Sequence, residues 1–322
     1  MAPLLEIKDL HVEYKTGRAT AHALNGINLT IEKGEALGLV GETGAGKTTI
    51  ALSALKLLPH DVGKVTGGSI TFDGKSVLDM NKKSLEEMRG NKISMIFQNP
   101  LSSLNPLFTV GEQISMVLRK HENLSKKEAA KRAEELLELV GIAKYRLDDF
   151  PHQFSGGMRQ RVGIAAALAC NPELLIADEP TTALDVTIQA QILELMKELQ
   201  RKRSSSLLMI THNLGIIAEL CQKVAVIYAG TIIEYGSVEE VFTNPQHWYT
   251  KGLLGAIPNL SGPRNRLAFI TGNVANACSL PSGCKFHPRC GSCVDQCKKE
   301  MPPLHDYDRG HLVACWERGE GK

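Results

Sequence analysis

One octapeptide narrows the possible folds more than anything else in the chain. Gly41-Glu42-Thr43-Gly44-Ala45-Gly46-Lys47-Thr48 fits G-x-x-x-x-G-K-[ST] without deviation. It follows a short apolar run, Glu35 to Val40, and precedes a stretch with helical character from Lys47 to about Leu58. In a strand–loop–helix setting the glycines let backbone N–H groups close around phosphate oxygens, and the helix N-terminus adds a favourable dipole. Lys47 is expected to contact the β- and γ-phosphates, and the Thr48 hydroxyl to ligate magnesium. A glycine-rich turn with a chance lysine is the bland alternative, and the flanking strand and helix count against it.

Other short apolar runs read as strands: Leu4 to Tyr14, Ala23 to Ile31 ending at the Lys33-Gly34 turn, Ile93–Phe97, Leu174–Ala177, Leu207–Ile210 and Val224–Tyr228. Helical patterns lie between them, which predicts an α/β core with a largely parallel sheet. Between Gln98 and Gly163 the texture changes to helical periodicity at Val110–Leu118 and Lys126–Val140, so residues 99–163 are expected to form a helical insertion. After Trp248 the chain turns rich in proline, glycine and cysteine, and a boundary is expected near Ile257-Pro258. That divides the chain into a main domain, 1–256, and an extension, 257–322, in line with 322 residues and the usual domain size of ~150.

Charge and hydropathy remove several classes. Lysine and arginine total 37 against 35 aspartates and glutamates, a net +2, which gives no sign of a nucleic-acid surface. No apolar run approaches the ~18 residues of a membrane span. Met1-Ala2-Pro3-Leu4-Leu5-Glu6 lacks the basic-then-apolar pattern of a signal peptide, so export is not expected. Of the eight cysteines, Cys170 and Cys221 stand apart, whereas Cys278, Cys284, Cys290, Cys293, Cys297 and Cys315 crowd the extension. Without an export signal such a cluster points to metal binding rather than disulfides.

Two further segments carry phosphate chemistry. Leu174-Leu175-Ile176-Ala177-Asp178-Glu179 is an apolar strand ending in two carboxylates. Where the chain turns at the strand end, both can face a nucleotide, Asp178 supporting magnesium and Glu179 polarising the attacking water. An acidic helix cap before Pro180 is an equal reading in isolation, and the phosphate loop tips the balance. Phe154-Ser155-Gly156-Gly157-Met158-Arg159-Gln160 opens a helix, and Ser-Gly-Gly at a helix start is a second phosphate nest or a plain serine cap.

The phosphate loop, Gln98 after a strand, Ser155–Gln160, Asp178-Glu179, Ala183-Leu184-Asp185 and His212 occur in the order seen in ATP-binding-cassette ATPases. The resemblance spans roughly residues 4 to 245, with Phe154 and Met158 departing from the common L-S-G-G-Q signature. Phe97-Gln98-Asn99-Pro100-Leu101-Ser102-Ser103-Leu104-Asn105-Pro106 and the run from Ala177 to Thr187 resemble the D-type ATPase subunits of bacterial dipeptide and oligopeptide importers. The resemblance implies a P-loop NTPase core of ABC type and a head-to-tail dimer of cassettes. Each ATP would lie between Gly41–Thr49 of one subunit and Ser155, Gly156, Gly157 and Met158 of the other. It further implies that Tyr14 stacks on adenine and that Gln98 senses magnesium and the lytic water. His212 would hold the γ-phosphate, Asp185 would lie in the dimer loop, and Thr48, Gln98 and Asp178 would hold magnesium. Since the chain has one phosphate loop, a second ATPase subunit is implied, similar but non-identical in the cell. Two membrane permeases and, indirectly, an extracytoplasmic peptide-binding protein complete the set, on the cytoplasmic face of the membrane.

The extension, with Gly283-Cys284-Lys285-Phe286-His287-Pro288-Arg289-Cys290 and His311-Leu312-Val313-Ala314-Cys315, resembles the C-terminal region of peptide-importer ATPases. Spacing alone leaves zinc and an iron–sulfur cluster even. The resemblance implies a [4Fe–4S] cluster on Cys284, Cys290, Cys297 and Cys315. Two other functions stay open at this point: a nickel-importer ATPase, which would look similar over the cassette, and a non-transport cassette ATPase. The latter usually carries two cassettes or a long coiled-coil insertion, and this sequence has neither.

Overall fold

Apolar runs become strands and charged amphipathic stretches become helices, with three successive α-helices described between the strands Ile93–Ile96 and Leu174–Asp178. The computed structural model describes residues 2–17, 19–99, 103–181, 184–203, 205–256 and 269–318. Strands β1 (Leu5–Thr16), β2 (Ala19–Ile31) and β3 (Ala36–Val40) lead to helix α1 (Lys47–Ala54). Then come β4 (Gly63–Phe72), β5 (Lys75–Ser76), α2 (Lys82–Met88) and β6 (Ile93–Ile96). The next helices are α3 (Val110–Glu122), α4 (Lys126–Leu139) and α5 (Gly156–Leu168), before β7 (Leu174–Asp178), α6 (Val186–Arg203) and β8 (Ser206–Ile210). After them are α7 (Leu214–Leu220), β9 (Lys223–Tyr228), β10 (Thr231–Ser237), α8 (Val238–Thr243) and α9 (Trp248–Gly255). The last described elements are α10 (Asp295–Lys299), β11 (His305–Asp308) and β12 (His311–Val313).

The chain falls into two units. The first comprises Met1–Leu4, Ile31–Ala36 and Phe72–Thr211. Its strands β6, β7 and β8 lie side by side and parallel, with Ile93 opposite Leu174 and Ala177 opposite Met209. Every residue of β7 and β8 is buried, which explains why they read as unbroken apolar runs rather than alternating ones. The same unit holds the expected helices. α3 starts at the Thr109 cap, whose side chain accepts from Glu112 N–H, and α4 starts at a capping box between Ser125 and Glu128. Val110, Ile114 and Leu118 of α3 are buried, as are Ala129, Ala133, Leu136 and Leu137 of α4, the spacing of a one-sided apolar stripe.

The second unit comprises Leu5–Thr30, Leu37–Thr71 and His212–Lys322. In it β2, β1 and β4 are neighbours in that order, and β3 pairs parallel with β9. Antiparallel pairing then runs from β9 to β10, from β10 to β12 and from β12 to β11. The cysteine-rich extension thus adds strands to β10, with Glu234 opposite Val313. Residues 257–268, where the boundary is expected, lie outside the described residues.

Two expectations change in this unit. α1 stops at Ala54 rather than near Leu58. Lys56 sits at φ +50°, Leu57 N–H bonds to Leu52 C=O at 2.7 Å and Lys56 N–H to Ser53 C=O at 2.9 Å. This is a Schellman closure built on lysine instead of the usual glycine. β4 was not expected at all, since Gly67-Gly68 interrupts its apolar pattern. Among the described residues no helix is long and apolar enough to cross a membrane.

A buried histidine caps α9. His247 Nδ1 accepts a hydrogen bond from Tyr249 N–H at 3.0 Å, and His247 is 2% exposed. Burial pushes its pKa down to about 4, against a raising influence of Glu234 and a lowering one of Lys251. The folded chain therefore holds His247 neutral, while the unfolded chain protonates it below about pH 6.5. Stability from this group is complete above that pH and is lost as pH falls towards 4. From pH 7 to pH 5 the expected loss is about 2 kcal/mol. Urea unfolding at the two pH values should show it, and His247→Asn, which can still cap, should remove this share of the pH dependence.

Candidate nucleotide site

The first group of site residues belongs to the second unit. β3 is buried throughout, and its last residue delivers the chain to Gly41. A Cβ on Gly41 would lie 2.3 Å from the Ile227 carbonyl oxygen, so only glycine allows the loop to pass that close to β9. Gly46, at φ +106°, precedes the first residue of α1. Lys47 reaches back across the loop, its Nζ donating to Gly41 C=O at 2.6 Å and Glu42 C=O at 3.0 Å. The loop is held from outside as well. Gly230 N–H donates to Ala45 C=O at 2.9 Å, and Glu42 N–H donates to the Tyr249 hydroxyl at 2.8 Å. Thr43, Gly44 and Thr48 are exposed, whereas Thr49 is buried. Tyr14 is half-buried beside this group, its hydroxyl donating to Thr49 Oγ1 at 3.4 Å.

The second group belongs to the first unit. Asp178 closes β7 and is 2% exposed; Glu179, 8% exposed, adopts φ +48°. A non-glycine residue in the left-handed region is strained, and such strain concentrates at functional positions. The turn ends the alternation of side chains that continued strand geometry would impose on these two consecutive carboxylates. Glu179 N–H bonds to Ile210 C=O at 2.8 Å, and the Thr211 hydroxyl donates to Glu179 Oε2 at 3.5 Å. Gln98 follows β6 and is exposed. Gln160, to which the sequence reading gives no role beyond closing the Ser155–Gln160 run, ties this region together. From inside α5 its buried Nε2 donates to Pro180 C=O at 3.1 Å and Phe97 C=O at 3.5 Å, linking the strand ends that carry Glu179 and Gln98.

Ser155 caps α5, its Oγ accepting from Met158 N–H at 3.3 Å, so the plain-cap role is real. Ser155 and Gly156 are nevertheless exposed, and nothing lies within 4 Å of where a Gly156 Cβ would be. The departure at Phe154 has a packing reason: the ring is 2% exposed, with the Arg146 guanidinium 4.4 Å from its centroid. Asp185 caps the start of α6 through Ile188 N–H at 3.0 Å; Ala183 lies outside the described residues. His212, in the second unit, is exposed just after β8.

In the extension Cys284, Cys297 and Cys315 are buried and Cys290 is half-buried. Burial pushes the Cys284 and Cys290 thiols up to about 11, and the neighbouring cysteines add to the rise. Cys315 is raised for the same first reason. These four are thus near neighbours of the soft-donor type that zinc and iron–sulfur clusters take. They do not form a finished cage: among the described residues no three His, Cys, Asp or Glu side chains are arranged to hold a metal ion.

Residues 24–182 match the family described as ABC transporter, and residues 233–297 match the oligopeptide/dipeptide transporter C-terminal region. The chain is 49% identical over 316 residues to the oligopeptide transport ATP-binding protein OppD of Bacillus subtilis, covering 97% of this chain and 88% of that protein. It is 46% identical to AppD of the same organism, covering 98% and 97%, and 46% identical to OppD of Haemophilus influenzae, covering 99% of each. Among solved structures, the dimeric post-hydrolysis state of the ATP-binding cassette MJ0796 bound to ADP and Pi superposes with a TM-score of 0.67 at 30% identity, covering 73% of this chain and 98% of that one. CbiO1 of Clostridium perfringens, part of the transporter complex cbiONQ, gives 0.61 at 31% identity, covering 76% and 92%.

Proposed function

Because the chain belongs to the ATP-binding subunits of oligopeptide ABC transporters, we propose that it hydrolyses ATP to energise import of di- or oligopeptides through membrane permeases. What carries this reading is a likeness to peptide-transport ATPases that runs through both the cassette and the C-terminal region. In it residues 1–256 serve as the nucleotide-binding domain, 99–163 as its helical part facing the permeases, and 257–322 as the extension. The subunit works at the cytoplasmic face of the membrane beside a second cassette ATPase, and a peptide-binding protein delivers the cargo.

The chemistry assigned to each residue follows from its type and setting. Lys47 leaves its loop carbonyls to neutralise the β- and γ-phosphates, and the loop N–H groups wrap the phosphate oxygens. Thr48, Gln98 and Asp178 offer hydroxyl, amide and carboxylate oxygens, hard donors that suit magnesium. A magnesium ion held by these three residues would supply positive charge to offset that of the triphosphate. Glu179 takes a proton from the water that attacks the γ-phosphorus, while the bond to the ADP oxygen breaks. His212 holds the γ-phosphate, and Tyr14 stacks on adenine once its ring is turned to the base. Ser155, Gly156, Gly157 and Met158 serve the partner's nucleotide, and Asp185 the dimer loop. Co-purification with the permeases tests the reading: ATPase activity should be low for the isolated chain and rise in the assembly. A chain that never co-purifies with a permease contradicts it.

For the extension, we propose that Cys284, Cys290, Cys297 and Cys315 close into a four-thiolate site for a [4Fe–4S] cluster. The support is their mutual proximity and burial in a segment with little core of its own, which metal binding would help to fold. Protein purified without oxygen should be brown and contain iron and sulfide, and Cys315→Ser should lose them. Colourless protein carrying one zinc would replace the cluster by zinc on the same thiolates. Loss of colour in Cys293→Ser but not in Cys297→Ser would refute the ligand set.

A further inference from the structure

The phosphate loop is held by a residue of the C-terminal extension. Arg289 makes a two-pronged pair with Glu42, the second residue of the loop: Nη1 to Oε2 at 2.7 Å and Nη2 to Oε1 at 3.1 Å. The arginine side chain is 5% exposed and the Glu42 side chain 24%, so this is a sheltered pair rather than a surface one. The guanidinium is itself fixed. Its Nε donates to Thr271 C=O at 3.0 Å, Nη1 lies 3.4 Å from the Tyr228 hydroxyl, and Nη2 lies 3.4 Å from Ile270 C=O. Phe286 stands edge-on to Tyr228 at 5.3 Å and to Tyr249 at 5.5 Å, giving the arginine an aromatic wall.

Glu42 is consequently gripped at three points: its carboxylate by Arg289, its N–H by the Tyr249 hydroxyl and its carbonyl by Lys47. Only the Lys47 grip must be released for Lys47 to reach a phosphate. The other two can keep the loop in shape throughout. The pair also matters for charge. An unpaired carboxylate inside a phosphate-binding loop repels the triphosphate, whereas a bidentate arginine pair is neutral and fixed in direction.

We propose that Arg289 is a positioning residue for nucleotide binding, acting through Glu42 to hold the phosphate loop in shape and to cancel its one built-in negative charge. The extension is thereby part of the ATP site's support. The inference rests on the nucleotide reading above.

The test is a cycle of Arg289→Gln, Glu42→Gln and the double variant in the full chain, assembled with its permeases. ATP affinity is read by direct titration, and KM and kcat by steady-state hydrolysis. Arg289→Gln should weaken ATP binding by about tenfold, because it strands a carboxylate beside the phosphates, and should raise KM more than it lowers kcat. In the Glu42→Gln background the same change should cost less than about threefold, since no carboxylate remains to strand. If Arg289→Gln does not fold, Arg289→Lys keeps the charge and loses the fork. It should give an intermediate affinity that falls further at high salt. Equal losses in both backgrounds, or unchanged affinity in Arg289→Lys and Arg289→Gln alike, would overturn the proposal. Wild-type protein that binds no ATP would instead overturn the nucleotide reading.

Discussion

Glu179→Gln should bind ATP with near-normal affinity and turn it over roughly 10²–10⁴-fold more slowly, the usual range for a lost general base. Glutamine keeps the size of the side chain and an oxygen to accept from the Thr211 hydroxyl, so the β7 end should keep its shape. What it loses is the ability to take a proton from water. Two features support the proposed role: the carboxyl follows the buried Asp178 and sits on a left-handed residue. Near that residue the Gln160 amide fixes the Pro180 carbonyl. ATP held uncleaved should also hold two subunits together, because one chain carries one phosphate loop and one Ser155 signature. Light scattering of the variant with ATP and magnesium should show the mass of a dimer, and removal of nucleotide that of a monomer. Turnover close to wild type would assign the base elsewhere.

Glu234→Ala should destabilise the fold by about 3–5 kcal/mol, because it leaves several buried hydrogen-bonding groups without their partner at ~1–3 kcal/mol each. Glu234 is 0% exposed. Its Oε1 accepts from Gln246 N–H at 2.6 Å and lies 2.8 Å from His311 Nε2, while Oε2 accepts from His247 N–H at 2.9 Å. Alanine leaves those donors buried without a partner, and each such group is costly. The carboxylate also joins β10 to the start of α9 and to β12 of the extension. Loss should therefore appear in the extension first, as faster proteolysis of the cysteine-rich segment. Glu234→Gln keeps an acceptor oxygen and should lose less. A change below about 1 kcal/mol for the alanine variant in urea unfolding would contradict this account of the network.

Much of this was legible from local pattern. β3, β6, β7, β8 and β9 announced themselves because a strand buried on both faces is a short unbroken apolar run. The phosphate loop is contiguous, so its chemistry and setting can be read together. β4 escaped because its glycines break the alternation, and the end of α1 because a lysine does the work of a C-terminal glycine. The long-range supports escaped for a different reason. Arg289 and Glu42 are 247 positions apart, and His311 and Glu234 are 77 apart. No spacing rule links such pairs; only the folding of β10 against β12 and of the extension against the loop brings them together. The cysteines show the same limit from the other side. Their number and crowding are plain in the sequence, but the closeness of Cys284, Cys290, Cys297 and Cys315 is a tertiary fact.

The proposed function is a single coupling, in which hydrolysis at Lys47, Asp178 and Glu179 drives peptide across a membrane. The most direct measurement is uptake of labelled peptide into vesicles holding the full assembly, with the peptide-binding protein on the side from which peptide enters and ATP supplied to the face that bears this subunit. Peptide should accumulate only with ATP and magnesium, hydrolysis should rise when peptide and its binding protein are added, and Glu179→Gln should abolish both. Brisk hydrolysis with no peptide uptake, or uptake undiminished by Glu179→Gln, would contradict it.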